Sequence, residues 1–239
     1  MSVRRRSLLA GALMLPFAAR AQAQETYEQR KERLLHEDFP ELSRYAADNA
    51  RILASGEKVN IVFLGDSITE GWKSKRPGFF TAGRVGRGIG GQTTPQMVLR
   101  MMADVVHLKP RFVHIMAGTN DIAGNTGKMT RAQSYDNFRM MAQIAKANGI
   151  GVILASVPPA DHFPWRPGLD VVGPIREINA WLQGYAKAER LTWVDYTPVL
   201  ADAKAAMKPG LAYDGVHPTE AGYDAMATVI EPVLKARHA

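Results

Sequence analysis

Four short apolar runs along the chain have the pattern of buried strands. The first covers positions 59–64 and is followed by a glycine, and similar runs lie at positions 112–116, 150–155 and 191–194. Their apolar residues are nearly continuous rather than alternating, which is typical of strands covered on both faces of a parallel sheet. The pattern therefore predicts a sheet with helices packed on both sides.

Segments with helical spacing separate these runs, and Gly149 follows the second segment as a C-cap. Strands that alternate with helices predict βαβ units and an α/β fold with a mostly parallel sheet. In such folds, ligands bind at the carboxyl ends of the strands. The spacing is carried by Met97, Met101 and Val105; Phe138, Met141, Ile144 and Ala145; Trp181, Leu182 and Tyr185; and Tyr223, Met226, Ile230 and Leu234.

The stretch from position 24 to 51 is polar, with scattered apolar residues. It predicts one or two helices packed outside the sheet. No internal repeat or linker interrupts the rest of the 239-residue chain. Residues 24–239 are therefore predicted to form a single domain.

The first 23 residues are predicted to be a signal peptide. Arg4 to Arg6 form a positive start, positions 8–19 are apolar, and Ala21-Gln22-Ala23 offers cleavage after either alanine. The apolar run is too short to span a bilayer, which needs about 20 residues. Two arginines, a serine and two leucines also resemble a twin-arginine signal, so ordinary secretion and twin-arginine export are the alternatives. We expect an exported protein, periplasmic or secreted, without a stable membrane anchor.

The composition excludes several functional classes. Four of the 30 basic residues lie in the first 23 positions. The rest of the chain has 26 basic and 23 acidic residues, so its net charge is +3, compared with +7 for the whole chain. No basic stripe with interleaved aromatics remains, which argues against nucleic-acid binding. The absence of cysteine excludes disulfides, thiolate catalysis and cysteine metal sites. No other cluster has metal-ligand spacing, so neither a metal nor a cofactor is expected.

Candidate chemistry lies directly after the predicted strands. Ser67 follows the first strand in the run Gly65-Asp66-Ser67, where it is either a nucleophile or a helix cap. Near the C-terminus, Asp214 precedes His217 by three positions. This spacing lets the carboxylate orient one imidazole nitrogen while the other faces a serine. The pair could instead supply two metal ligands, but no further ligands accompany it.

Two glycine-containing loops lie between these motifs. The run from Gly86 to Thr94 formally satisfies G-x-G-x-x-G, but little strand precedes it and no acid follows at the distance needed to hold a ribose. Other interpretations are a tight turn before a helix near Pro95, or a glycine that lets a backbone N–H approach a reacting oxygen. In the run Gly118 to Asp121, Asn120 is either a side-chain donor or a turn residue.

Together, the four motifs resemble in order and content the conserved blocks of the SGNH/GDSL hydrolases. That family is recognised by a GDS, a glycine in a second block, a GxND and a DxxH, which here end at Ser67, Gly91, Asp121 and His217. The resemblance covers essentially the whole chain after the signal, and it extends to the platelet-activating-factor acetylhydrolase and carbohydrate-esterase branches. Gln92 departs from those branches, which usually carry aspartate there, and this departure concerns the local support of the second block and not the glycine donor.

This resemblance implies a three-layer α/β/α sandwich around a five-stranded, mostly parallel, flavodoxin-like sheet. It also implies a serine nucleophile with its base and acid, and an oxyanion hole of backbone and side-chain donors. An α/β-hydrolase fits poorly, because its G-x-S-x-G elbow needs glycine where Thr69 stands. The implied residues are Ser67, His217 and Asp214 for the triad, and Ser67, Gly91 and Asn120 for the oxyanion hole.

We expect an exported serine esterase that removes short acyl groups, with acetyl groups on carbohydrate as the first choice. The loop from Pro158 to Pro174 could contact substrate through Phe163 and Trp165, or these rings could pin the loop to the core. Asp66 is a further candidate contact. A lysophospholipase or thioesterase is the alternative within this class, and a non-catalytic glycan-binding protein on an esterase scaffold is the alternative outside it. Oligomeric state stays open.

Overall fold

Five strands form one parallel sheet in the part of the chain that the structure describes, residues 25–81 and 83–237 of a computed structural model. They are β1 (Ile61–Gly65), β2 (Arg84–Gly88), β3 (Phe112–Met116), β4 (Gly151–Ala155) and β5 (Thr192–Val194). Their order is β2-β1-β3-β4-β5 and every neighbouring pair is parallel. This is the flavodoxin-like order, whose switch point lies between β1 and β3. The predicted fold class is confirmed.

Helices cover this sheet. The long ones are α1 (Tyr27–Glu37), α2 (Ser43–Ser55), α3 (Ser67–Lys75), α4 (Thr94–Asp104), α6 (Arg131–Ala147), α7 (Val172–Ala188) and α9 (Glu220–Arg237), and the short ones are α5 (Thr119–Ala123) and α8 (Thr197–Leu200). The α3 helix packs on β1 and β2, α6 on β4, and α7 on β4 and β5. Consecutive residues of β1 are fully buried, so both of its faces are covered and it lies in the core.

The predicted helices are confirmed. The four segments with helical spacing correspond to α4, α6, α7 and α9. The apolar face of each helix is buried, as shown by Met97, Met141, Leu182 and Ile230. The polar stretch before the first strand forms two helices, α1 and α2. Helix α2 packs against α4, and its side chains also contact β2 through the hydrogen bonds between Asn49 and Arg87.

Strand β2 is the element that the apolar pattern did not reveal. Its sequence is Arg-Val-Gly-Arg-Gly, so Gly86 and Gly88 lie in an extended strand and not in a turn. A side chain at Gly88 would overlap the backbone of α3 at Glu70 and Asp66. The glycine therefore permits the close approach of α3 to this strand at the edge of the described sheet.

The signal peptide predicted over residues 1–23 lies outside the described residues. Within residues 25–81 and 83–237, no helix is both long and apolar enough to cross a membrane.

Candidate active site

Ser67 begins helix α3 directly after β1. The Asp66 carboxylate caps this helix by accepting the Ile68 N–H at 2.9 Å. Gly65 makes the sharp passage possible, because a side chain there would overlap Thr69 and approach the Met116 carbonyl. Ser67 therefore lies at the carboxyl edge of the sheet, at the N-terminus of a helix.

A chain of two hydrogen bonds links Ser67 to the loop before α9. Ser67 Oγ lies 2.9 Å from His217 Nε2, and His217 Nδ1 lies 2.7 Å from Asp214 Oδ2. The other Asp214 oxygen accepts the N–H groups of Val216 (3.0 Å) and His217 (2.7 Å), which fixes the carboxylate inside its own turn. The fold thus brings together groups separated by 150 positions.

Two carboxyl groups near Ser67 have displaced pKa values. Burial alone raises the pKa of Asp214, but the hydrogen bonds from His217 and Val216 outweigh it and lower that pKa below its usual value. Asp214 is therefore ionised and suited to orient an imidazole. Burial raises the pKa of Asp66 to about 6, against the hydrogen bond from the Ile68 N–H.

Asn120 and Gly91 belong to one hydrogen-bonded network on the other side of Ser67. The Asn120 amide nitrogen donates to the Gln92 carbonyl at 3.0 Å. The Asn125 amide donates both to Asn120 Oδ1 (2.8 Å) and to the Gly91 carbonyl (3.2 Å). Gly91 has a φ of 79°, which favours glycine. A Cβ at Gly90 would lie 3.8 Å from the Ser67 Cβ, so this loop borders the serine.

Gln92 supports its loop with both ends of its amide. Its carbonyl accepts Arg100 Nε at 2.7 Å, and its nitrogen donates to the Pro40 carbonyl at 2.9 Å. The fully buried Arg100 also donates to the carbonyls of Arg87 and Gly65, both at 2.8 Å. An aspartate could only accept at this position. The glutamine therefore supports the loop, and it adds a contact that a carboxylate cannot make.

Asp121 ties the third block to helix α4. Its carboxylate accepts the Thr94 N–H at 2.8 Å and the Thr94 hydroxyl at 2.5 Å. Asn137 then donates to that same hydroxyl at 2.9 Å. The helix that follows the glycine loop is thus fixed to the segment that carries Asn120.

The three candidate substrate contacts have different surroundings. Asp66 and Phe163 are buried, so in this conformation neither presents a surface to a ligand. Phe163 stacks on Trp165, with ring centroids 5.1 Å apart, and pins the loop to the core. Trp165 is half-buried and lies 5.8 Å from the His217 ring. Of the three, only Trp165 presents accessible side-chain surface in this conformation.

Tyr213 is a site residue that the sequence analysis missed. Its side chain is 63% exposed and its ring stacks on His217 at 5.6 Å. The signal was its position directly before the Asp214 motif, but apolar periodicity gives no reason to single it out. His217 thus has two neighbouring aromatic rings, those of Tyr213 and Trp165.

A groove of about 1000 Å³ opens beside Trp165. Arg166 and Lys128 give it basic character, and Leu169 adds an exposed apolar surface. Among the described residues, no group of three or more His, Asp or Glu side chains is arranged to hold a metal ion.

Comparison with known proteins identifies the family. The model of the GDSL-like lipase/acylhydrolase family matches residues 63–225. The acetylxylan esterase of Geobacillus stearothermophilus is 25% identical over 210 residues, covering 73% of this chain and 92% of that protein. A match to the uncharacterized lipoprotein YqeF of Bacillus subtilis is 39% identical but spans 30% of this chain and 31% of that protein.

Solved structures agree with this family. A GDSL-like lipase from Bacteroides thetaiotaomicron superposes with a TM-score of 0.79 and 43% identity, covering 84% of this chain and all of that chain. Together with the family match over most of the described residues, this shows that the chain belongs to the GDSL-like lipase/acylhydrolase family and is a carboxylic ester hydrolase.

Proposed function

We propose that this protein is an exported serine esterase that removes short acyl groups, above all acetyl groups, from carbohydrate. The observation that carries the proposal is the hydrogen-bonded chain from Ser67 through His217 to Asp214. In this proposal Ser67 is the nucleophile, His217 the general base and Asp214 the acid that orients it.

The reaction proceeds by two acyl transfers. His217 Nε2 takes the Ser67 proton as Oγ attacks the ester carbonyl, and the imidazolium then gives that proton to the departing alcohol. Water attacks the acyl-serine in the same way, with its proton passing to His217 and then to Ser67 Oγ as the acid leaves. Asp214, whose pKa is lowered, stays ionised and stabilises the imidazolium.

The oxyanion of each tetrahedral intermediate accepts hydrogen bonds from three donors: the N–H groups of Ser67 and Gly91 and the side-chain amide of Asn120. Support comes from the shared network of Gly91, Gln92 and Asn120, which limits the freedom of both predicted donors. Donors fixed before the reaction avoid the cost of reorganising as charge develops.

The carbohydrate assignment rests on the rim of the site. Tyr213 and Trp165 flank His217, and flat aromatic surfaces suit the apolar faces of sugar rings. The acetylxylan esterase relative supports the same substrate class. A lysophospholipase or thioesterase activity is the second candidate, because a structural neighbour is a GDSL-like lipase and Leu169 lies exposed in the groove.

A series of p-nitrophenyl esters separates these substrates. We expect kcat/KM to fall steeply beyond butyrate, and the wild type to deacetylate acetylated xylooligosaccharides. A rise of kcat/KM towards octanoate would instead assign the lipase-like activity.

Labelling with a fluorophosphonate probe tests the nucleophile. We expect labelling at Ser67, and a loss of at least about 10³-fold in p-nitrophenyl acetate turnover in Ser67→Ala and His217→Ala. Matched controls are Ser74→Ala on the same helix and the exposed His107→Ala, which should both stay active. Failure of the folded wild type to label would favour a non-catalytic glycan-binding protein.

Export is proposed from residues 1–23 alone. Mass spectrometry of the mature protein should find an N-terminus at Gln22 or Gln24. Replacing Arg5 and Arg6 by lysine should block export if the signal is of the twin-arginine type and leave it nearly unchanged if it is an ordinary secretory signal.

A further inference from the structure

Glu70 connects the helix that carries Ser67 to the glycine loop beside it. Glu70 lies in the first turn of α3, and its Oε2 accepts the Gly90 N–H at 2.9 Å. Gly90 immediately precedes Gly91, the predicted backbone donor. One helical turn therefore holds both the predicted nucleophile and the loop that carries the donor.

The other oxygen of Glu70 is held by Arg44, on a part of the chain outside the family match. Arg44 Nη2 lies 2.6 Å from Glu70 Oε1, whereas the family match begins at residue 63. Arg44 belongs to α2, so the Glu70 carboxylate links an N-terminal helix to the glycine loop beside Ser67.

Residues 39–45, which we name the N-terminal clasp, hold the same loop at three further points. The carbonyls of Phe39 and Pro40 accept the side-chain amides of Gln96 (2.7 Å) and Gln92 (2.9 Å). The Tyr45 hydroxyl donates to the Gly88 carbonyl. The segment from Gly88 to Gln96 is thus bound to the clasp at its start, middle and end.

We infer that Glu70 is a positioning residue for the oxyanion hole and that Arg44 of the N-terminal clasp acts on catalysis through it. The inference rests on the proposed function, because it needs Gly91 as a donor. Glu70 fixes the peptide before Gly91, and Arg44 fixes the Glu70 carboxylate. Displacement of a reacting group by about 1 Å can cost about 10²-fold in rate, so such an anchor affects turnover more than binding.

Substitution of Glu70 tests this inference. In Glu70→Ala, we expect kcat for p-nitrophenyl acetate to fall about 10- to 100-fold with KM within about twofold of wild type. Glu70→Gln keeps an acceptor for the Gly90 N–H and should recover most of the lost kcat. Glu57→Ala is the matched control, because Glu57 forms an exposed ion pair with Arg51 of α2 and has no contact with the loop.

Arg44 tests the connection to the clasp. Arg44→Ala should lower kcat about three- to tenfold, and Arg44→Ala/Glu70→Ala should be no slower than Glu70→Ala alone, because residues that act in series are not additive. Multiplied losses in the double variant would overturn the action of the clasp through Glu70.

The outcomes separate this inference from the proposed function. If wild-type Ser67 labels but Glu70→Ala has unchanged kcat, or raises KM at constant kcat, the positioning role is wrong while the esterase assignment stands. If Ser67→Ala retains activity, the proposed function itself fails. Thermal unfolding of each variant gives its folded fraction. Activities compared at the same folded fraction exclude loss of fold as the cause of a lower kcat.

Discussion

The side of Ser67 that carries the predicted base and the side that carries the predicted oxyanion donors are held in different ways. Asp214 and His217 remain 26% and 20% exposed, and their turn is held mainly by its own hydrogen bonds. Asn120 and Gln92 are 2% and 1% exposed, and their side chains are bonded by Asn125 and by the buried Arg100.

This difference corresponds to the tasks proposed for the two sides. A base must exchange protons with substrate and water, so His217 needs access and one well-placed partner. Oxyanion donors act only through geometry, so Gly91 and Asn120 gain from a rigid, dry surrounding. Each side should therefore respond differently to substitution.

The largest effect is expected on the base side. Asp214→Asn should lower kcat about 10⁴-fold, because a neutral amide neither selects the required imidazole tautomer nor stabilises the imidazolium. Steady-state hydrolysis of p-nitrophenyl acetate measures this. Asp202→Asn is the control, since Asp202 also accepts two backbone N–H groups of its own loop. A loss below tenfold would remove Asp214 from the triad.

On the oxyanion side, Asn120→Ala should lower kcat about 10²–10³-fold, equivalent to roughly 2.7–4 kcal/mol, with little change in KM. Asn148→Ala, at an exposed helix end, should be neutral. Asn120 also donates to the Gln92 carbonyl, so the unfolding temperature of the Asn120→Ala variant must be measured together with its activity. A rise in KM at constant kcat would assign Asn120 to ground-state binding instead.

Asp66 directly precedes Ser67, and its burial can be tested by measuring protein stability as a function of pH. Its folded pKa of about 6 exceeds the ordinary value of 3.8, so the folded chain binds this proton more tightly than the unfolded chain does. The contribution of protonated Asp66 to the free energy of unfolding is complete below about pH 4, and it is lost as the pH rises through about 6.

Asp66→Asn removes this titration and keeps an oxygen to cap α3. Relative to wild type, its free energy of unfolding should rise by about 2 kcal/mol between pH 4 and pH 7, measured by denaturant titration. Asp136→Asn, at an exposed ion pair, should show no such trend. A difference independent of pH would contradict burial of an ionisable Asp66.

The smallest effect concerns Tyr213. Tyr213→Ala should change p-nitrophenyl acetate hydrolysis less than about threefold. It should lower kcat/KM for acetylated xylooligosaccharides about five- to tenfold, because one stacking contact of about 1 kcal/mol is lost. Tyr213→Phe keeps the ring and should resemble wild type on both substrates. Equal losses on both would mean that the ring supports His217 rather than a sugar.

The sequence predicted those parts of the fold whose pattern is set by burial on both faces. The run at positions 59–64 is continuous in apolar residues because β1 is covered on both sides. Strand β2 escaped prediction because its fit depends on a missing side chain at Gly88 and on a buried Arg87, neither of which resembles a strand signal.

The candidate site divides in the same way. The motifs predicted that Ser67, Asp214 and His217 belong together, and the structure brings them within hydrogen-bonding distance. The supports were not predictable, because the Pro40 carbonyl and the Glu70 carboxylate act through contacts between distant segments. Exposure likewise shows that Trp165 and Tyr213, unlike Phe163, present side-chain surface near His217.

The 150 positions between Ser67 and His217 have a consequence for biosynthesis. A ribosome releases the predicted nucleophile long before the predicted base, and β3, β4 and β5 lie between them in the chain. If Ser67 and His217 have the proposed roles, a chain that ends before residue 217 carries the nucleophile without its base and should lack hydrolytic activity.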